Sequence, residues 1–398
     1  MGVTAPAGRV ARTAVRATRV LMVEVPGWAT TRVAVERAVA ARGWGPAWSP
    51  AAADVLLVCG RLGDAWRPVV DRLWSQLPGP AARIEVAEPD RAPLVLDAAA
   101  RTLQAGGSFP DRAGDAGMEH GDMGHGDMDH GDMDHGDMDH GGMDHGGMDH
   151  GGMDHGGMDH GGMEMDMPMP GGIPLAGGAE DRDGLEMDEL TVPLGPVLPA
   201  WPAGLVLRCT LHGDVIAQVR VDTVPGPVAA GGQAHPDGRT RLALECDGVA
   251  RLLTVAGARA AAAGFRRVRD DLLDGAPVAD CGTAVESLLG RVRRSRLLRW
   301  SIRGIGGLDA ARVAEHGLPD ALGGDVHDRL VARFAGLRDR LARGGPARGL
   351  ADRSADAQAV LDLLPSLVIG LDLGAARLVV ASLDPDVAAI GSGARTHG

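Results

Sequence analysis

The residues best suited to chemistry form a five-residue repeat between Met118 and Met163, with units of mostly Met-Asp-His-Gly-Gly or Met-Asp-His-Gly-Asp. Each unit supplies a thioether, an imidazole and a carboxylate, and its glycine lets the backbone fold around an ion. Thioether with imidazole favours copper, above all Cu(I), whereas imidazole with carboxylate also accepts Cu(II), Ni(II) or Zn(II). A period of five matches neither a helix face nor a strand face, so packing does not explain the pattern. The repeat is therefore predicted to bind transition-metal ions, with copper or nickel as the expected cofactor.

The predicted metal ligands are the imidazoles and thioethers of the repeat. They are His120, His125, His130, His135, His140, His145, His150, His155 and His160, with Met123, Met128, Met133, Met138, Met143, Met148, Met153, Met158 and Met163. Counted on the nine imidazoles alone, at two to four per ion, the repeat would hold roughly 3–4 ions. The alternative is that a repetitive codon run expanded into a tolerated acidic spacer without a role.

The segment around the repeat differs in composition and charge from the rest of the chain. Residues 105–183 are mostly Gly, Asp, Met and His, then Pro and Gly, and cannot bury a core, so a disordered linker is expected. From Asp115 to Glu189 there are 21 acidic residues and one arginine, so the remainder of this chain of net charge −13 is mildly basic. One Arg-rich run, Arg291 to Arg299, has interleaved Val and Leu, which favours a half-solvated helix over a site for an anionic partner or headgroup. No nucleic-acid partner is expected.

Missing residue types exclude much ordinary catalysis and several kinds of site. The 398 residues include no Lys, Asn or Tyr, so a P-loop lysine, a Schiff-base lysine and a tyrosyl acid are all excluded. Four cysteines are widely spaced and form no C-x-x-C pair, which argues against zinc fingers and redox pairs. The N-terminus lacks an apolar signal region, and apolar stretches fall far short of about 18 residues. The expectation is a cytoplasmic protein with reduced thiols, with peripheral association with the inner face of the membrane left open.

Two polar pairs resemble acid–base couples. His212 is close to Asp214 in sequence, and His327 is next to Asp328. Neither pair has a visible third group to orient it, so surface or structural roles are favoured and no catalytic residue is predicted.

The elements expected to flank the repeat differ on its two sides. Before it, three short apolar strands alternate with three helices, which predicts a small parallel α/β domain. After it, three β-rich segments lead into several helical segments, which predicts an α+β domain with a helical bundle. The predicted organisation is a flexible N-terminus (1–18), an α/β domain (19–104), the linker (105–183) and the α+β domain (184–398).

The first domain resembles a known family over residues 19–87. The segment from Trp48 to Gly60 (WSPAAADVLLVCG), followed by Leu73 to Pro80 (LWSQLPGP), is similar to the small, cluster-bearing subunit of respiratory complex I and membrane-bound NiFe hydrogenases. That family has Ser-Pro, then Ala-Asp-Val, an apolar strand and Gly, and a helix ending near Gln-Met-Pro.

The second domain resembles the partner large subunit, which forms the quinone site in complex I. Several motifs occur in family order over about 195 residues. They are the opening VPLGPVLP from Val192, the HGDVI turn from His212, RSRLLRW to Gly-Ile-Gly306, GDVHDRLVAR from Gly324, and the C-terminal stretch from Leu364 to Asp384.

The departures from the family decide what the resemblance implies. The adjacent cysteine pair near Val25–Ala29 is absent, as is the cysteine expected around Ala87–Asp90, so no iron–sulfur cluster is expected. Leu198 replaces a family histidine, His327 replaces a tyrosine, and the hydrogenase C-x-x-C pairs are missing. The resemblance therefore implies a redox-silent structural subunit, not catalytic alone, docked on membrane subunits of a complex I-like (NADH-quinone oxidoreductase-like) assembly. Two alternatives stay open: a free-standing copper or nickel storage protein, and an oxidoreductase component using a cofactor bound in trans.

Overall fold

The computed structural model describes residues 17–108, 177–180, 186–227, 236–343 and 350–393. All eighteen predicted metal ligands, and nearly all of the predicted linker, lie outside the described residues. Within the described residues, no helix is both long enough and apolar enough to cross a membrane.

The first domain is built on a four-stranded parallel sheet. Its strands are β1 (Arg19–Glu24), β2 (Gly45–Pro46), β3 (Val55–Cys59) and β4 (Ala82–Val86), in the order β2-β1-β3-β4. Every residue of β3 is buried, as expected for a strand covered on both faces. The helices are α1 (Ala29–Ala41), α2 (Arg67–Ser75) and α3 (Ala92–Gln104).

Alternate residues of the strands point into two different cores. Val55 and Leu57 face a core shared with α1 and α3, whereas Leu56 and Val58 face a core that contains Trp66 at the start of α2. Two residues of the second domain, Val197 and Val224, pack against this latter core. The two domains therefore pack directly on each other.

The second domain begins with an antiparallel sheet and continues as helices around a single large core. The strands are β5 (Gly177–Glu180), β6 (Glu186–Leu194), β7 (Leu205–His212) and β8 (Val215–Thr223). The helices that follow are α4 (Gly238–Val255), α5 (Arg259–Leu273), α6 (Val278–Arg294), α7 (Arg296–Ile302), α8 (Ala310–Glu315), α9 (Val326–Arg343), α10 (Leu350–Val368), α11 (Leu373–Leu383) and α12 (Val387–Gly393).

The predicted fold classes are confirmed, and several details change. Thr30 does not cap α1, because that helix already begins at Ala29 and has no side-chain cap. The helical block expected from Arg241 to Leu273 is two helices, since Gly257 takes a positive φ between them. Two predicted boundaries also shift. Thr18 is buried, although it was expected to belong to the flexible N-terminus. Strand β5 lies inside the segment expected to be linker and pairs with β6 of the second domain.

Candidate functional site at the domain junction

The carboxyl edge of the parallel sheet is the place where this architecture normally binds a ligand. The chain runs from β1 outward to β2 and then returns past β1 to β3, so a topological switch point lies between β1 and β3. Open α/β sheets bind cofactors in the crevice outside the carboxyl ends of the strands at such a point. Here the loops that leave that edge begin at Val25 and Gly60.

In this protein the second domain packs against these loops. The indole Nε1 of fully buried Trp66 donates a hydrogen bond to the carbonyl oxygen of Pro225 at 3.1 Å. A Cβ on Gly226 would lie 2.6 Å from the carbonyl oxygen of Pro26, and one on Gly204 would lie 2.7 Å from the Pro26 ring. The residues after β1 therefore meet backbone of the second domain at a distance that only glycine allows.

A buried network of charged side chains crosses the same junction. Its four arginines are Arg32, Arg251, Arg269 and Arg333, and its four central carboxylates are Glu24, Glu36, Asp247 and Asp384. The two sets balance in charge, so the network needs no additional ion for neutrality.

Asp247 on α4 is the centre of the network and is only 2% exposed. Its Oδ2 accepts a hydrogen bond from Nη2 of Arg32 on α1 at 2.5 Å, and its Oδ1 accepts one from Nη1 of Arg269 on α5 at 2.6 Å. Arg32 also donates to Glu24 and Glu36 of its own domain, both at 2.6 Å. Four groups, Asp247, Arg32, Arg269 and Glu36, are thereby paired with opposite charges from both domains.

The pKa values of Asp247 and Arg32 follow from this pairing. Burial alone would raise the pKa of Asp247, but the guanidinium groups of Arg32, Arg251 and Arg269 outweigh burial and hold that pKa well below its usual range. Burial also acts to lower the pKa of Arg32, and the facing carboxylates reverse this and raise it. Both groups are therefore charged at neutral pH, and neither is placed to exchange a proton in a reaction.

The four cysteines are free and buried. Burial raises the pKa of the Cys59 thiol, at the end of β3, far above its ordinary value, and it raises that of Cys209 to about 11. In the part of the chain described by the structure, the one group of three converging potential metal ligands is Asp325, His327 and Asp328, which contains no cysteine.

That group surrounds the N-terminus of α9, and its carboxylates bind backbone. Asp325 accepts from the amides of Gly304 and Asp328, and Asp328 accepts from the amide of Asp325. The His327 Nδ1 lies 3.8 Å from Asp328, beyond hydrogen-bond distance, and has no hydrogen-bond partner among the described residues. The arrangement is a helix cap, which agrees with the structural role favoured from the sequence.

The histidine of the other suspected couple lies beside a different carboxylate from the one suspected. His212 ends β7, and its Nε2 lies 3.6 Å from Glu189 of the neighbouring strand β6.

Arg329, which follows His327 and Asp328, is fully buried. It donates hydrogen bonds to the Ser382 hydroxyl and to the carbonyl oxygens of Gly306 and Gly324. Burial lowers the pKa of Arg329 to about 10.

The junction network is the feature that the sequence did not predict. One signal was available: Asp247 and Arg251 are four residues apart and are the two charged residues in the last ten residues of α4 (246–255), which places two charges on a face that must be buried. Nothing in the sequence of α1 marks Arg32 as their partner.

Neither the protein-family models nor the curated proteins gives a match to this chain.

Proposed function

We propose that this protein is a redox-silent structural subunit of a complex I-like or hydrogenase-like membrane assembly, with a transition-metal-binding tract inserted between its two subunit-like domains. The observation that carries the proposal is the packing of the second domain on the carboxyl edge of the parallel sheet. In the family that the sequence resembles, the small and large subunits are separate chains that pack together. Here two domains of the expected classes pack within one chain.

Two further observations support a structural role over an electron-transfer role. The loops at the switch point contact protein backbone through Gly204 and Gly226. The charged groups behind that edge are paired with one another, and burial raises the pKa of the Cys59 thiol, so the thiolate that ligates iron is disfavoured.

A second candidate function rests on the tract alone. Nine histidines and the accompanying methionines in a repeat suit a copper or nickel reservoir, in which the flanking domains would only hold the two ends of the tract.

The test is the composition of the complex purified from the native host. The full chain, tagged at its C-terminus, is isolated from detergent-solubilised membranes, and co-purifying proteins and metals are quantified. We expect antiporter-like membrane subunits in stoichiometric amounts, and we expect a variant that lacks residues 115–170 to retain them. A chain that purifies alone, with several copper or nickel ions that the deletion removes, would support the reservoir and refute the subunit.

A further inference from the structure

One surface of the second domain combines exposed arginines with exposed large apolar side chains. It lies where α6 ends and α7 follows, and we call it the α7 patch. Its members are Arg291, Arg293, Arg294, Arg296, Leu297, Arg299, Trp300 and Arg303, all of them exposed.

The geometry of α7 explains why these side chains face outward. Leu298 and Ile302, four residues apart, are both buried and attach one face of the helix to the core. The opposite face then carries Arg296, Arg299 and Trp300 into solvent. Trp300 is 81% exposed and Leu297 is 74% exposed, the highest values among the large apolar residues that are exposed in the described part of the chain.

The arginines of the patch have no acidic partners among the described residues. The stretch from Gly290 to Gly304 contains no Asp or Glu, and none of its six arginines forms an ion pair in that part of the structure. Elsewhere in the same fold, arginines such as Arg32, Arg251 and Arg269 are paired. Six unpaired guanidinium groups within thirteen residues make a concentrated positive surface.

We propose that the α7 patch binds the surface of an anionic lipid bilayer. Arginines attract anionic headgroups, while tryptophan and leucine on the same face insert at the boundary between headgroups and acyl chains. This combination distinguishes a bilayer from the chain's own acidic repeat (118–163), which would neutralise the arginines but offers only methionine to cover Trp300 and Leu297. This proposal does not depend on whether the chain belongs to a complex I-like assembly, because it concerns binding to lipid alone.

The experiment is flotation of the purified full chain with protein-free vesicles. Vesicles of phosphatidylcholine are compared with vesicles that also contain phosphatidylglycerol, at low and at high salt. We expect partition onto the anionic vesicles only, weakened by salt. Replacing three arginines (R296Q/R299Q/R303Q) is expected to lower the partition coefficient on the order of 100-fold. Replacing the apolar pair (L297S/W300S) is expected to lower it about 10-fold or more.

Matched controls come from exposed residues elsewhere on the chain. W48S/L94S removes another exposed Trp and Leu, and R101Q/R259Q/R267Q removes three other exposed arginines. Both controls should bind as the unaltered chain does. Absence of binding to anionic vesicles, or equal losses in the patch and control variants, would overturn the proposal. So would binding that occurs only after residues 115–170 are deleted, because the acidic segment would then be the occupant. None of these results bears on co-purification with membrane proteins, so the two proposals fail separately.

Discussion

Replacing Asp247 by asparagine removes one charge from the centre of the junction network with almost no change in side-chain size. Two guanidinium groups, those of Arg32 and Arg269, lose a charged partner at 2.5–2.6 Å, and both are buried. Removing one partner of a buried ion pair costs about 3–5 kcal/mol, because the other charge stays buried and uncompensated. The asparagine oxygen still accepts one hydrogen bond, and Glu24 and Glu36 remain, so we expect the lower end, about 3 kcal/mol.

The assay is urea unfolding at neutral pH, followed by tryptophan fluorescence, with Trp66 reporting on the junction. The matched control is D222N, which breaks the exposed pairs of Asp222 with Arg208 and Arg220 and should cost at most about 1 kcal/mol. If D247N lowers the free energy of unfolding no more than D222N does, the network does not stabilise the junction and the reasoning is refuted.

The D247N variant also tests how the stability that Asp247 contributes depends on pH. The pKa of Asp247 is held below its value in the unfolded chain, which is about 3.9. Its contribution to stability is therefore complete above pH 4 and is lost as the pH falls below about 4 toward the folded-state pKa. The stability difference between the unaltered chain and D247N should be constant from neutral pH down to pH 5 and should shrink below pH 4. A difference that is unchanged or larger at pH 3 would contradict this assignment.

Four further predictions concern the repeat and the cysteines. Changing the nine repeat histidines to glutamine should remove most Cu(II) and Ni(II) binding and spare much of the Cu(I) binding, whereas changing the methionines to leucine should do the reverse. Calorimetric titration of the two variants with each ion measures these losses. Identical losses for all three ions in both variants would show that the ligand roles are misassigned. Because neutral imidazole is the ligand, Cu(II) and Ni(II) affinity should collapse below about pH 6. Deleting residues 115–170 should leave the melting temperature nearly unchanged, and a chain that no longer folds would make the tract structural. Anaerobic reconstitution should yield no stable iron–sulfur centre, and a brown protein with stoichiometric iron and sulfide would refute that expectation.

The parts of the fold that follow from local sequence pattern were predictable. The strand Ala82–Val86 follows from its sequence, because apolar and charged residues alternate along it between turn residues. The sequence does not predict the helices α11 and α12, since they are mostly apolar or small and lack the polar face that marks an amphipathic helix. The two-residue strand β2 is too short to carry a pattern, and it forms because its backbone pairs with Arg19 and Val20.

The site was less predictable than the fold, for a physical reason. Arg32 and Asp247 are 215 residues apart, and an ion pair between distant segments leaves no periodic trace in either of them. The junction contacts at Gly204 and Gly226 are likewise invisible in sequence, because a glycine required by close backbone approach is the same letter as a glycine in an ordinary turn.

Because contacts between the domains hold the junction, the number of repeats can change at little cost to folding. The described chain leaves the first domain at Ser108 and returns at Gly177. The composition predicts a flexible connection, and closing a flexible loop costs free energy only as the logarithm of its length, about 0.6 kcal/mol for each doubling. Slippage that doubled or halved the connection would therefore alter stability by about as much as one exposed ion pair contributes. The proposed metal capacity, counted in pentapeptides, is in this sense free to evolve separately from the stability of the two domains that carry it.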